Sequence, residues 1–222
     1  RGGSAYHTAV LWNGISLSSP MNGLLDLSLV PLAAAKHLEL QHGGSTALFG
    51  SGAVAGVLKF SSQPSLGQGF SLEADLSVGS FSDFRQELGA TWSKKRVASS
   101  LRIFHASAQN DFSFTNPYLG NERSRQTHAE LRNLGLVTDH IWSPGKGHSL
   151  SLNAWLQRTE RKLPPTLLQS ISRAKQEDRA LRLHAAWKYQ RGPWETHLRT
   201  AYVHERLLYQ DSLSDIYSLS LS

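Results

Sequence analysis

The sequence of 222 residues lacks cysteine and has no long apolar run. The absence of cysteine excludes disulfides, thiolate metal ligands and a cysteine nucleophile. No stretch approaches the roughly 18 consecutive apolar residues that a membrane-spanning helix requires. Hydrophobic residues make up 40% of the chain and charged residues 18%, a composition typical neither of a disordered protein nor of a helical membrane protein.

Clustered positive charge is also scarce. The formal net charge is +6, yet Lys94-Lys95-Arg96 is the one run of three basic residues. Scattered basic residues fit loops around a sheet better than a nucleic-acid surface. We therefore expect no nucleic-acid partner.

No residue pattern indicates catalysis, a cofactor or a metal. The ten histidines form neither an HxH nor an HExxH pattern, so no metal-ligand spacing is present. The segment from Gly50 to Gly56 loosely matches a dinucleotide fingerprint, but no long helix follows it, as a βαβ unit would require. We expect a protein that is not an enzyme and that needs no cofactor or metal.

Apolar and polar residues alternate from about Phe70 to the end of the chain. Such alternation is typical of strands with one apolar side and one wet side. The fourth strand alternates poorly because Leu131 and Leu134 fall on opposite faces, so we expect a β-bulge there. The apolar sides of the other strands carry Phe70, Leu72, Ala74, Leu76 and Val78; Phe84, Leu88, Ala90 and Trp92; Leu101 and Ile103; Leu150, Leu152, Ala154 and Leu156; Leu181, Leu183, Ala185, Trp187 and Tyr189; and Trp194, Leu198 and Tyr202.

Strand length and link length both favour a membrane barrel. The strands run for about ten to fourteen residues, enough to cross an apolar band of about 25 Å, whereas sandwich strands have about five or six. Tight turns at 94–96, 144–147 and 190–193 alternate with long links at 110–126 and 161–175, as in outer-membrane barrels. The charged opposite face suits a wet lumen. Aromatic residues near the strand ends would form an interfacial girdle; they are Trp92, Trp142, Trp155, Trp187, Trp194 and Tyr202.

The first part of the chain does not alternate. It combines short strand patterns at 9–12, 15–17 and 37–41 with a helical turn at 32–35, which Pro31 precedes. These pieces indicate a small mixed α+β unit. The resulting division of the chain is residues 1–62 for this unit, 63–69 for a linker and 70–222 for the strands.

Five segments of the first part resemble, in order and spacing, the second half of the plug of TonB-dependent outer-membrane receptors. They are residues 1–2, 8–14, 26–31, 37–50 and 53–58. The motif positions within them are Arg1, Gly2, Asn13, Gly14, Glu39, His42, Gly43, Gly50 and Gly56. The rest of the chain resembles the first strands of the receptor barrel. The resemblance implies an all-β membrane barrel fragment of seven or eight antiparallel strands, from a barrel of about 22 strands, with a small α+β plug portion.

Two positions depart from the family pattern. His42 stands where the family usually has an arginine that pairs with barrel carboxylates and helps to hold the plug. A histidine is charged only near or below its usual pKa of about 6.5, so the resemblance does not extend to that contact. Ala55-Gly56 stands where the family often has two glycines.

The resemblance implies active import of a scarce, large nutrient across the outer membrane of a Gram-negative cell. Loop segments at 110–116 and 163–166 resemble the cobalamin- and siderophore-type branch, in Bacteroidetes-like sequences, which implies a corrinoid or ferric siderophore as the ligand. The implied partners are TonB, bound through a segment that would precede Arg1, and outer-membrane lipid. The chain would be a fragment, and the full-length protein a monomeric barrel.

The implied ligand site lies between the plug apex and the long outer loops. A mixture of aromatic and amide side chains suits a large amphipathic ligand. The expected ligand-binding residues are Ser18, Ser19, Met21 and Asn22 at the apex and Asp111, Phe112, Phe114, Asn116 and Tyr118 in the first long loop.

Two alternatives remain open at the level of sequence. A plugless porin-type barrel would place its N-terminal unit in the periplasm, outside the lumen. A soluble carbohydrate-binding β-sandwich would bury the apolar positions from Leu150 to Leu156 under a second sheet.

Overall fold

The computed structural model describes residues 7–18, 25–42, 53–213 and 216–221. Strands dominate this part of the chain and form a four-stranded sheet, an eight-stranded sheet and one separate hairpin. We call the first two the small sheet and the large sheet. The helical elements among these residues are single 3-10 turns. None of the described helices has the length and apolar character needed to cross a membrane.

The small sheet consists of β1 (Thr8–Trp12), β2 (Ile15–Ser16), β3 (His37–His42) and β4 (Gly56–Ser61). Its strand order is β2-β1-β4-β3, with β1 parallel to β4 and the other neighbours antiparallel. Two 3-10 turns, Leu27–Leu29 and Leu32–Ala34, connect β2 to β3. The strands and helical turn predicted for this part of the chain are confirmed, and the turn at 32–34 is 3-10 rather than α.

The large sheet follows the chain order, with each strand antiparallel to its neighbours, and confirms the predicted all-β fold class. A short hairpin formed by β8 and β9 interrupts the link between β7 and β10. The strands are β5 (Gly69–Gly79), β6 (Asp83–Ser93), β7 (Val97–Ala108), β8 (Ser113–Asn116), β9 (Glu122–Arg125), β10 (Leu131–Gly145), β11 (His148–Lys162), β12 (Ala174–Arg191), β13 (Trp194–Asp211) and β14 (Ile216–Leu221).

The links of the large sheet differ at its two ends. At one end, which we call the short-turn end, the strands are joined by residues 94–96, 146–147 and 192–193. The other end, the long-loop end, carries the links 109–130 and 163–173 and, between β5 and β6, the three-residue link 80–82. The predicted alternation of tight turns with long links is therefore confirmed.

The predicted bulge at Leu131–Leu134 is wrong. From Leu131 to Trp142, β10 pairs residue for residue with both β7 and β11, and the register shifts only between Trp142 and Gly145. Alternation is poor here because Leu131 occupies the inward face, which also contains apolar side chains. An apolar residue on that face needs no bulge.

The register assigns the predicted apolar positions to one face, which we call the outward face. Leu152, Leu183 and Leu198 are 58%, 40% and 64% exposed on it. Within the described residues no second sheet covers Leu150–Leu156, so the structure does not support the sandwich alternative.

The opposite, inward face of the large sheet packs against the small sheet. Trp12 of β1 meets Trp155 of β11 edge to face, with ring centroids 5.5 Å apart. Phe104, Val137 and Phe60 extend this buried cluster. Trp155 was expected in an exposed aromatic girdle, and that expectation is wrong. Its odd-numbered position on β11 faces inward, where it is 1% exposed.

Candidate functional site

A buried carboxylate connects the small sheet to the large sheet. Asp139 of β10 is fully buried. Its Oδ1 accepts hydrogen bonds from Ser62 Oγ at 2.8 Å, Asn153 Nδ2 at 2.6 Å and Asn13 Nδ2 at 3.4 Å. Asn13 and Ser62 belong to the small-sheet side, whereas Asn153 lies on β11. One carboxylate is therefore hydrogen-bonded to both sheets, and these donors compensate for the hydration that the carboxylate loses on burial.

Ser62 and Asn13 form the small-sheet half of this contact. Ser62 Oγ accepts hydrogen bonds from Trp12 Nε1 and Asn13 Nδ2, each at 3.0 Å, and the Ser62 backbone N–H donates to Asn13 Oδ1 at 3.2 Å. Asn13 and Gly14 have φ values of 47° and 90°, as a two-residue hairpin turn requires. The turn thus places the amide of Asn13 against the large sheet.

Arg102 of β7 adds a buried positive charge. Its Nη1 donates to the carbonyl oxygens of Ala33 and Ser62, each at 3.2 Å, and lies 4.0 Å from Asp139 Oδ2. The guanidinium thereby binds two backbone groups of the opposing unit. Such bonds fix the position of the small sheet without requiring any particular side chain there.

A second polar contact lies closer to the long-loop end. The carbonyl oxygen of Leu29 accepts hydrogen bonds from Gln157 Nε2 at 2.7 Å and Asn133 Nδ2 at 3.4 Å. Arg161 Nη1 pairs with Asp26 Oδ2 at 3.0 Å. Apart from the tryptophan cluster, the two sheets thus meet mainly through polar groups, which water can replace if the sheets separate.

The described motif positions have mainly structural roles. Glu39 pairs with Lys59 at 3.0 Å on the surface. His42 is the exposed last residue of β3 and lies opposite Gly56. A Cβ at Gly56 would lie 2.8 Å from the carbonyl oxygen of Gln41, so the β3–β4 contact needs glycine there. Arg1, Gly2, Gly43 and Gly50 lie outside the described residues.

The expected apex residues are mostly not described. The backbone N–H of Ser18 donates to Ser16 Oγ at 3.3 Å just after β2. Ser19, Met21 and Asn22 lie outside the described residues. Their role in ligand binding stays a prediction.

The expected loop residues lie together on the link that carries the β8–β9 hairpin. Phe112 packs edge to face against Phe81 and Phe114, with centroid distances of 5.8 and 6.3 Å. Tyr118 is 64% exposed and Phe112 is 41% exposed. These two rings offer apolar surface at the long-loop end.

Two of the expected loop residues already have partners within the protein. Asp111 forms an ion pair with Arg125. Asn116 is buried, accepts a hydrogen bond from the Tyr118 N–H at 3.0 Å and donates to the Leu167 carbonyl oxygen at 2.9 Å. Asn116 therefore ties the first long loop to the second and positions Tyr118.

Sequence reasoning did not identify the residues that join the two sheets. Asp139, Arg102 and Asn153 were not among the candidate site residues. One signal was available, because Phe104, Val137 and Trp155 put apolar side chains on that same face, as covering by another unit would require.

Comparison with known proteins gives one family-model match and two sequence relatives. A family model described as TonB-dependent Receptor Plug Domain matches residues 1–57. The chain is 33% identical over 91 residues to the vitamin B12 transporter BtuB of Photobacterium profundum. This alignment covers 41% of the chain and 14% of that protein. It is 36% identical over 64 residues to the vitamin B12 transporter BtuB of Vibrio vulnificus, covering 29% of the chain and 10% of the relative. The matches thus span a seventh or less of the length of these relatives.

Solved structures share the fold. The siderophore receptor PiuA from Acinetobacter baumannii aligns with a TM-score of 0.68 and 14% identity over 93% of this chain and 30% of its own. The copper transporter OprC aligns with a TM-score of 0.58 and 14% identity over 96% of this chain and 42% of its own. Residues 1–57 thus match the plug-domain family of TonB-dependent receptors, and the small sheet seated on the inward face of a long antiparallel sheet shares the fold of these two solved structures.

Proposed function

We propose that the chain is part of an outer-membrane importer that takes up a large, scarce nutrient with energy delivered through TonB. Residues 1–62 would be the second half of the plug, residues 63–69 a linker and residues 70–222 the first strands of the barrel. The observation that carries the proposal is the seating of the small sheet on the inward face, through Asp139, Arg102 and the tryptophan pair. A plugless barrel would leave that face wet.

The chemistry of the contact suits a plug that must move. Its hydrogen bonds involve side chains and backbone carbonyls that water can satisfy equally well after separation. Among the described residues, the apolar part of the contact is the cluster around Trp12 and Trp155. Binding energy alone cannot drive both capture and release of a ligand, so movement of the plug requires an outside source of energy.

A corrinoid is our first candidate for the ligand, and a ferric siderophore is the second. Two sequence relatives are named as vitamin B12 transporters. The exposed rings of Phe112 and Tyr118 at the long-loop end offer the apolar contacts that a large amphipathic ligand needs. The apex residues Ser18, Ser19, Met21 and Asn22 would complete the site from the plug side.

Uptake by the full-length protein tests this function. We expect cells that lack their own corrinoid receptor to take up labelled cyanocobalamin when they express this protein, and to lose that uptake when tonB is deleted. A ferric siderophore offered to the same cells tests the second ligand. Uptake that persists without TonB and rises linearly with concentration would instead support a porin-type barrel.

A further inference from the structure

Three arginines form a cross-strand row on the outward face of the large sheet. Arg158 of β11 is the register partner of Arg179 of β12, which is the partner of Arg206 of β13. Adjacent strands lie about 4.8 Å apart, so the backbone positions of the three arginines fall within about 10 Å. Like charges directly opposite each other on a sheet are destabilising. An anion shared by the row would remove this repulsion.

The row lies at the boundary of the apolar outward face. The neighbouring cross-strand row toward the short-turn end is apolar over three strands, with Leu136, Leu156 and Leu181 in register. Two residues along a strand correspond to about 7 Å. Arg158 and Arg179 therefore sit one step beyond this leucine row, on the side of the long loops, and Arg206 sits one step beyond His204.

Acidic neighbours only partly neutralise the row. Arg158 pairs with Glu160 at 2.6 Å and with Glu177 at 3.3 Å, and Arg179 pairs with the same Glu177. Within the described part of the chain no ion pair involves Arg206. Two carboxylates are thus present to neutralise the charge of three guanidinium groups.

A cavity of about 600 Å³ opens next to the row at the long-loop end. The cavity lining mixes both signs of charge. Glu160 and Glu177, the acidic partners of the row, line it together with Arg132 and Lys175, which make no ion pair with a described residue. Lys162 also lines it and donates to Glu130 at 2.7 Å, a bond that lowers the pKa of the Glu130 carboxyl. A headgroup at the row would therefore meet two further cations, Arg132 and Lys175, that pair with no described carboxylate.

The other boundary of the apolar surface has a different chemistry. Near the short-turn end, Trp142 and Trp187 lie on the row that includes Leu150 and Leu198. Tyr189 stacks on His148 with centroids 4.6 Å apart. Aromatic side chains suit an ordinary lipid interface, whereas three adjacent arginines match phosphate oxygens, which accept paired N–H donors.

We propose that Arg158, Arg179 and Arg206 bind the phosphate groups of a phosphorylated lipid in the membrane leaflet at the long-loop end. The inference rests on the proposed membrane-spanning function. Acyl chains of such a lipid would lie on the outward leucines and its phosphates on the arginine row. A bound phosphate would bridge guanidinium groups that otherwise repel each other.

Native mass spectrometry of the full-length receptor in detergent, with added diphosphoryl lipid A, tests the proposal. The triple variant Arg158→Gln, Arg179→Gln, Arg206→Gln removes the row. The matched control Lys94→Gln, Lys95→Gln, Arg96→Gln removes the same charge at the short-turn end. We expect bound lipid to fall at least about tenfold in the row variant and to stay unchanged in the control. Equal losses in both variants, or no loss in either, would overturn the proposal.

Three further measurements keep the result decisive. Arg206→Gln alone breaks no described ion pair, so it should fold normally and still lower lipid binding severalfold; full binding by this variant and by a folded triple variant contradicts the proposal. Inorganic phosphate that displaces lipid A completely would identify a free-anion site instead. Corrinoid uptake is measured separately: a receptor that transports but does not bind lipid at the row overturns this inference alone, whereas a protein absent from the outer membrane overturns the proposed function.

Discussion

Asp139 joins the two sheets through hydrogen bonds from both sides. Its carboxylate accepts from Ser62 and Asn13 on the small-sheet side and from Asn153 on the large sheet. Removal of the carboxylate would leave the Ser62 hydroxyl and the Asn153 amide without this acceptor, and the buried Arg102 without its nearby negative charge. Unpaired buried polar groups cost more free energy than the bonds contribute when formed.

We therefore expect Asp139→Ala to weaken the attachment of the small sheet. The free energy of unfolding should fall by on the order of 3 kcal/mol, and the amides of β1 and β4 should exchange faster. Denaturant unfolding and hydrogen exchange of the full-length receptor measure the two effects. Asp83→Ala is the control, because the ion pair of Asp83 with Arg85 lies on the surface and should contribute less than about 1 kcal/mol. Unchanged exchange in β1 and β4 would contradict the role of Asp139.

Gly135 of β10 is fixed by close packing rather than by backbone conformation. A Cβ there would lie 2.3 Å from the carbonyl oxygen of Leu156 and 2.5 Å from the ring of Phe104. We expect Gly135→Ala to destabilise the receptor by about 1–3 kcal/mol, because neither neighbour can move without disturbing the tryptophan cluster. Gly89→Ala is the matched control on a nearby strand, where the nearest atom, Cγ of Arg102, is 3.4 Å away, an ordinary van der Waals distance. Thermal unfolding of the two variants should separate them clearly.

Alternation predicts a strand and its two faces, but it does not say what covers each face. The outward positions of β11, from Leu150 to Leu156, were therefore predicted correctly from the sequence. Trp155 was misplaced because it was grouped with the other aromatic residues of the expected girdle, which face outward. Its odd-numbered position on β11 puts it on the inward face. The β8–β9 hairpin was missed because its strands have four residues each, too few for a clear pattern.

The residues that form the contact between the sheets could not be predicted because they are distant from one another in the sequence. Ser62 and Asp139 are separated by 77 positions, and no local pattern links them. In addition, the same types of polar residue occur on a wet face and at a buried contact, so residue type does not distinguish the two. The family resemblance identified the plug, but not which wall residues hold it.

Neighbouring residues of β11 should respond differently to the same substitution. Leu152 lies on the outward face, in the middle of the apolar rows, whereas Ser151 faces inward. We expect Leu152→Arg to cost about 2–4 kcal/mol in a membrane, because the charge would face lipid. Ser151→Arg should cost much less, since its charge faces the polar side. The folded fraction of the full-length receptor after refolding into lipid vesicles measures the difference, and equal yields would contradict a lipid-facing β11.

The molecule as a whole presents two open edges and an uncovered apolar face. Within the described residues, β5 and β14 occupy the outer positions of the large sheet, and no described strand pairs with the far side of either. Open edges next to exposed leucines promote association between copies of a chain. The small sheet cannot prevent this, because it packs on the inward face.

We therefore expect a polypeptide of residues 1–222 to aggregate in buffer and to disperse in detergent micelles. Micelles cover the outward leucines but leave the edges free, so small oligomers joined through β5 and β14 should persist there. Sedimentation and light scattering of the same preparation, with and without detergent, measure both effects. A monomer that unfolds cooperatively in buffer would show that the outward face needs no lipid, and it would contradict the barrel assignment at the level of the whole molecule.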